Sequence, residues 1–202
     1  MNEEALISDA QNGSLDAFNT LVLNYQDTVF NAALRIMGDG DMAADASQEA
    51  FISAFKSIAG FRGGSFKGWL MRIVTNACYD ELRRKKRKPT TPLEPESDDG
   101  EEMSSPRWLA DPAMTPDQVA EADELEHAIQ HCIDNLPLEF KTVVVMTDLQ
   151  GLEYAEVASA IRVPLGTIKS RLARARLRLR ECLHSFEELL PANYRLEDGM
   201  NA

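Results

Sequence analysis

GLEYAEVASAIRVPLGTIKSRLARARLRLR, residues 151–180, reads as a short helix, a turn and a longer helix that carries cations. Leu152, Val157, Ala158 and Ile161 before the turn, and Val163, Ile168, Leu172 and Ala175 after it, fall at helical spacings that close one small core. Pro164 opens the second helix, where its missing N–H has no role. Gly166 adds no side chain and leaves room for the two helices to approach. The second helix then shows Lys169, Ser170, Arg171, Arg174, Arg176, Arg178 and Arg180, and no acid falls between Glu156 and Glu181. The pattern predicts a helix-turn-helix whose second helix lies in a DNA major groove. A solvated, Arg-rich helix of an ordinary bundle shares this composition.

The remainder is also helical in pattern. Hydrophobic residues make up 44% of the 202, which is enough to bury cores, while aromatics make up 7%. No apolar run reaches the roughly 18 residues of a membrane span. The N-terminus, MNEEALISDAQ, is acidic and lacks an apolar core, so no secretory signal is expected. Net charge is −12, which argues against a non-specific nucleic-acid binder. The distribution points the other way. RRKKRK at 83–88 and the set at 169–180 are cationic, and acids concentrate at 94–102 and 121–126. Local potential governs DNA binding, and summed charge only lowers the non-specific part.

Periodicity places helices at 3–12, 15–37, 42–58 and 66–86, with Ser14 as a helix cap and a glycine-bearing loop at 60–64. Ala46, Ala50, Phe51, Ala54 and Phe55 form the expected buried face of the third. Prolines with Ser and acids between them mark 91–116 as a linker, with Trp108 and Leu109 as its only bulky apolar pair. Helices at 119–135 and 139–149 precede the helix-turn-helix. The expected organisation is all-α: one helical domain at 1–90, the linker, a second domain at 117–190 and a tail at 191–202. Cys78, Cys132 and Cys182 are odd in number and far apart, and they read as reduced thiols of a cytoplasmic protein. His127, His131 and Cys132 share a helix face but lack a fourth ligand, so no metal site is expected. No nucleophile–base pair or phosphate loop is visible. The chain reads as a non-enzyme without a cofactor.

Five strings together resemble the extracytoplasmic-function sigma factors, the small members of the bacterial sigma-70 family. They are DAFNTLVLNYQDTVFNAALRI (16–36), DASQEAFISAFKSIAGFRG (45–63), SFKGWLMRIVTNACYDELRRKKR (65–87), NLPLEFKTVVVMTDLQGLEYAEVASAI (135–161) and VPLGTIKSRLARARLRLRECL (163–183). The resemblance covers nearly everything outside the linker and tail. It implies a promoter −10-binding domain and a promoter −35-binding domain, with core RNA polymerase (its β′ clamp helices and β flap), promoter DNA and an anti-sigma factor as partners, and no insertion into a membrane.

The resemblance also implies site residues. Asp45, Gln48, Glu49, Ile52 and Lys56 form a polar stripe that would hold the clamp helices; carboxylates and an amide suit an Arg-rich partner helix. The same stripe could be plain solvent face. Opening a promoter needs a pocket that holds an unstacked base between apolar walls with donors for its edge. Phe61, Arg62, Ser65, Phe66, Trp69, Arg72 and Asn76 would form it, although Phe61, Phe66 and Trp69 also suit a core. Tyr79, Arg83, Arg84 and Arg87 continue that helix. Its cations stabilise a helix C-terminus and also suit phosphates, which carry little sequence choice. In the −35 groove the resemblance places Leu165, Thr167, Lys169, Ser170 and Arg174 near base edges, and Arg171, Arg176 and Arg178 near phosphates. Arg or Lys on guanine contributes about 1–3 kcal/mol per bidentate pair. Ala173 departs from relatives with a bulky residue there and implies less contact with a thymine methyl.

Two other classes fit parts of the pattern: a stand-alone helix-turn-helix regulator and a helical adaptor that binds only proteins. Acids at 94–102 could pair with RRKKRK or the recognition helix. Deleting residues 94–102 should then raise polymerase-independent DNA affinity in a gel shift, and unchanged affinity rejects the pairing.

Overall fold

The computed structural model describes residues 2–87 and 115–191. Lys88, Trp108, Leu109, the acids at 94–102 and nearly all of the expected linker and tail lie outside the described residues. The elements that are described are helices. They are α1 (Glu3–Gln11), α2 (Leu15–Met37), α3 (Gly40–Ser57), α4 (Phe66–Arg87), α5 (Pro116–Asp134), α6 (Leu138–Val144), α7 (Tyr154–Ile161) and α8 (Leu165–His184). No described helix is long and apolar enough to cross a membrane.

Their ends follow from local hydrogen bonding. Ser14 Oγ accepts the Ala17 N–H at 3.2 Å and opens α2. The Asp39 carboxylate accepts the Met42 N–H at 2.9 Å, so α3 starts at Gly40, earlier than periodicity alone suggests. Ser65 Oγ accepts the Gly68 N–H at 2.9 Å and caps α4. Thr115 and Gln118 form a reciprocal capping box before α5. Beyond α6 the chain widens into a π-helical turn, Val145–Leu149. The α7–α8 turn rests on Arg162 in the left-handed region (φ 57°), a conformation that costs a non-glycine residue about 1–3 kcal/mol.

Helices α1–α4 form one group, with α2 packed on α1, α3 and α4. In the other, α8 packs on α5, α6 and α7. A contiguous apolar core runs through both groups, from Leu21, Val29 and Val74 to Val143, Val157 and Ile168. Two sequence expectations change here. Phe55 is 44% exposed, its ring edge-on to Phe18 at 5.0 Å, because the small residues Ala46, Ala50 and Ala54 fill the α3 core face. Gly166 makes no close approach, since a Cβ there would meet nothing within 4 Å. The α7–α8 contact is carried by Val157, Ile168 and Leu172 instead.

The two groups are also joined by polar contacts. Arg35 of α2 donates to Gln130 Oε1 at 2.8 Å and pairs with Glu126, both on α5. Lys67 Nζ donates to the Gln150 carbonyl at 2.5 Å. Tyr79 and Thr142 share a hydrogen bond of 2.7 Å, and Thr142 Oγ also donates to the Leu138 carbonyl, so Tyr79 is the donor. Burial pushes the Tyr79 phenol above its usual pKa. Asp134 reaches back from α5 to hold Lys141 Nζ at 2.7 Å. Its carboxylate lies where a Cβ on Gly38 would stand, 2.8 Å away.

That contact makes Gly38 a test of how the groups meet. Gly38 has φ 70°, so Gly38→Ala should cost about 1–3 kcal/mol of backbone strain and should also displace Asp134. Gly13→Ala, at φ 94° in open space, should cost the strain alone. Urea denaturation compares them, and an equal loss would place Asp134 away from Gly38. Tyr79→Phe and Thr142→Val should each cost about 0.5–1.5 kcal/mol, and the double variant less than their sum. Strict additivity in that cycle would mean the pair does not interact.

Candidate functional site

Four surfaces hold the residues singled out from the sequence. Along α3, Asp45, Gln48, Glu49 and Lys56 are exposed and Ile52 is 41% exposed. Asp45, Gln48, Glu49 and Ile52 line a groove of about 710 Å³ whose other wall is α4, through Ile73, Asn76, Asp80 and Arg84. Asp45 and Glu49 are acidic and Gln48 carries an amide oxygen, so the groove can accept charge-assisted bonds from a basic helix. Asn76 and Arg84 therefore share a groove with the α3 stripe.

The second surface is a cleft of about 580 Å³ between the 60–65 loop with α4 and the far face of α7. Phe61, Arg62, Ser65, Trp69 and Arg72 line one side, and Glu156 and Ser159 the other. Phe61 and Trp69 line it, and two further rings back them: Phe61 lies 5.6 Å from Phe66 and 5.4 Å from Trp69, Phe66 lies 5.3 Å from Trp69, and Tyr25 lies behind Phe66 at 5.5 Å. Phe66 is 3% exposed and belongs to the core. Phe61 and Trp69 are half-buried and present ring surface to the cleft, so they act as core and as wall together. The loop is held from α1, where Gln11 Nε2 donates to the carbonyls of Phe61 (2.7 Å) and Ile58 (3.2 Å). Gly68 lets α7 approach, since a Cβ there would stand 3.3 Å from Glu156 Oε1.

Farther along α4, Tyr79 and Arg83 face α6 and α8 across a third cavity that Arg171 also lines. Arg83, Arg84 and Arg87 are exposed. Arg83 pairs with Asp80 and Arg84 with Glu81 one turn back, exposed pairs that each contribute little. The seven residues from Phe61 to Asn76 thus do not share one pocket. Asn76 turns to the α3 groove, and Tyr79 turns to the other group.

On α8, Leu165 is 43% exposed, Lys169, Ser170, Ala173 and Arg174 are exposed, and Thr167 is half-buried at the N-terminal turn. The helix projects a polar row from the two-helix core formed by Ile168, Leu172 and Ala175. Other cations are held by the protein. Arg171 binds Glu139 at 2.8 Å. Arg176 makes two hydrogen bonds to Asp148, at 2.9 and 2.7 Å, which raise its pKa further. Arg178 stacks over the Phe140 ring at 5.2 Å. Ser170 Oγ donates to the Thr167 carbonyl at 3.0 Å. Lys169 and Arg174 show no such tether, so the exposed N-terminal half of the helix carries two unbraced cations beside the braced Arg171, Arg176 and Arg178.

Sequence reasoning missed the braces. Gln11, Glu139 and Asp148 are ordinary polar residues on helix faces, and only folding brings them to residues 28 to 50 positions away. It also misread two cysteines. Cys132 of α5 and Cys182 of α8 form a disulfide, while Cys78 stays free and buried. Their separation of 50 residues hid a pairing that needs α5 packed on the end of α8. The bond also takes the Cys132 sulfur away from the His127–His131–Cys132 set.

Comparison with known proteins agrees with this arrangement. Residues 21–88 match the family model Sigma-70 region 2, and residues 126–179 match Sigma-70, region 4. The ECF RNA polymerase sigma-E factor of Haemophilus influenzae is 36% identical over 87% of this chain and 92% of its own length. The RNA polymerase sigma-H factor of Pseudomonas aeruginosa is 34% identical over 86% and 90%. The ECF RNA polymerase sigma factor SigE of Mycolicibacterium smegmatis is 36% identical over 86% of this chain, a match spanning 65% of that longer protein. The fold matches CnrH in complex with the cytosolic domain of CnrY (TM-score 0.65, 21% identity, 91% of this chain and 97% of that one). It matches RpoE in complex with the anti-sigma factor NepR from Bartonella quintana similarly (TM-score 0.64, 23% identity, 84% and 98%). Two regions matched in order on one helical chain, with relatives that share over a third of their residues, show that the chain belongs to the sigma-70 family, among its extracytoplasmic-function sigma factors.

Proposed function

We propose that the chain is a promoter-specificity subunit: it binds core RNA polymerase, reads −35 and −10 elements and helps open the −10 region. The polymerase supplies the chemistry. The α3 stripe with its groove takes a basic partner helix of the polymerase. The 60–65 loop with Trp69 and Arg72 takes an unstacked base of the −10 element. The exposed edge of α8, from Leu165 to Arg174, enters the −35 major groove, and the basic end of α4 follows phosphates. An anti-sigma factor is a further partner, a reading supported by the structure of similar fold in which RpoE is bound to the anti-sigma factor NepR.

The observation that carries this reading is the pairing of both matched regions with unbraced cations on the exposed edge of α8 and an exposed acidic stripe on α3. A scaffold that bound only proteins would give no reason for Lys169 and Arg174 to stay free while Arg171, Arg176 and Arg178 are braced.

The names of the two elements put them about 25 base pairs apart, ~85 Å at about 3.4 Å per base pair. A compact chain of this length has a radius of gyration of about 17 Å. The contacts of α4 with α7 and of α2 with α5 must therefore open before both elements are read at once. Tyr79 and Arg171, one from each proposed DNA surface, line the same cavity in the compact form, which supports a closed state that must open.

Run-off transcription with core polymerase on a promoter library tests the reading. Wild-type chain should impose start-site choice. Arg174→Glu should lose it at −35-dependent promoters while still binding polymerase, and Glu49→Lys should lose polymerase binding itself. Unchanged transcription by Arg174→Glu would favour the adaptor reading. A gel shift obtained without polymerase would favour a stand-alone regulator.

A further inference from the structure

Helix α1 stands outside the part of the chain that matches Sigma-70 region 2, which begins at residue 21. It is nevertheless built onto the cleft assigned above to an unstacked base. Leu6, Ile7 and Ala10 are buried and seat α1 on α2 and on the turn Ile58–Gly60. From that seat two side chains reach the cleft walls. Glu3 accepts a hydrogen bond from the Tyr25 hydroxyl at 2.5 Å, and Tyr25 lies behind Phe66. Gln11, the last residue of α1, is half-buried and donates from one amide nitrogen to the Phe61 carbonyl at 2.7 Å and the Ile58 carbonyl at 3.2 Å. That nitrogen carries two hydrogens, so each carbonyl can have its own.

The loop needs such a hold. Gly63 and Gly64 have φ 86° and 87°, a region that glycine enters freely, and a Cβ on either would meet nothing within 4 Å. The loop is fixed at its ends instead, by Gln11 at Phe61 and by the Ser65 cap at the start of α4. The Phe61 carbonyl shares a planar trans peptide with the Arg62 N–H, and the two point in opposite directions. With the carbonyl turned to Gln11, the Arg62 N–H is turned away from α1, and it has no acceptor among the described residues. Arg62 itself lines the cleft with Phe61 and Trp69. A base taken out of its stack is received by ring faces and by donors for its edge.

We propose that Gln11 is a positioning residue for capture of the −10 base: by holding the peptide between Phe61 and Arg62 it presets the ring and the N–H that receive the base, which makes α1 part of the −10 site. The inference rests on the promoter-specificity reading for the base, while the hold on the loop stands on the geometry alone. A loop that is already set loses less entropy when the base arrives. The hold therefore acts on promoter opening and leaves polymerase binding on α3 and −35 binding on α8 untouched.

The test uses full-length chain, core polymerase and a promoter selected by the wild-type chain in run-off transcription, with a fluorescent adenine analogue in the −10 element to report unstacking. Gln11→Met keeps the length of the side chain and loses both donors. Gln11→Glu keeps its shape and turns a carboxylate toward two carbonyl oxygens. Trypsin should cut after Arg62 several-fold faster in both, and fastest in Gln11→Glu, while Asn12→Ala at the exposed neighbour behaves as wild type. Open-complex formation, read from the analogue's fluorescence, should slow several-fold in both at unchanged polymerase affinity. An abasic site at the captured base should slow the wild-type chain strongly and add little to the loss in Gln11→Met, whereas a helix that served only the fold would give additive losses. Cleavage of Gln11→Met after Arg62 at the wild-type rate, normal opening by that variant, or additive losses at every −10 position overturns the proposal. Faster cleavage in the variants, with a wild-type chain that imposes no start-site choice, would keep the hold on the loop, remove its role in base capture and sink the promoter reading.

Discussion

Residues 141–147 are all buried, and the other helices close around this short stretch. Val143, Val144, Val145 and Met146 are 0–2% exposed. A helix apolar on all sides has no solvent face and must be enclosed. Each such side chain contributes about 1.5–3 kcal/mol on burial. Helix α8 covers one side of it, and α2 of the other group covers another. The enclosure explains why the two groups share one core in the compact form. It also sets the cost of opening them, because separation exposes part of this stretch to water.

Burying such a stretch creates a polar problem, and its solution builds much of the inter-group contact. Lys141, Thr142 and Thr147 lie within the enclosed run. Lys141 meets Asp134, Thr142 donates to the Leu138 carbonyl and accepts from Tyr79, and Thr147 donates to the Val143 carbonyl. A buried polar group without a partner would cost about 1–3 kcal/mol, so these partners are structural requirements. Tyr79 is one of them, and the resemblance placed it among the DNA contacts. In the compact form it works as a donor to the second group, and under the proposed function it would meet DNA only after that group leaves.

The same economy governs charge. Acids outnumber bases in the whole chain, yet the surfaces that would meet DNA are positive. The protein braces Arg171, Arg176 and Arg178 with Glu139, Asp148 and Phe140, and leaves Lys169 and Arg174 unbraced at the edge. Bracing lowers the entropy lost when a long side chain is held in place. It also leaves the unbraced pair with the rotamer freedom that the proposed base reading would use.

The sequence by itself determined the helices, their order, the buried aliphatic faces and the helix-turn-helix, because each rests on spacing within about 20 residues and on caps such as Ser14. It also determined that the polar stripe of α3 faces outward, since a polar stripe opposite an apolar one has solvent as its only partner. It did not determine how those stripes divide among clefts. Asn76 reads as a neighbour of Trp69 and Arg72 by helical phase, but α3 claims that flank of α4 while α7 claims the other. Phe55 had an apolar partner face only until three alanines filled it. The Cys132–Cys182 bond, Gln11 under the Phe61 loop and Tyr79 on Thr142 were decided by tertiary packing alone. Each joins residues 47 to 63 positions apart, and no local pattern records which distant surfaces will meet.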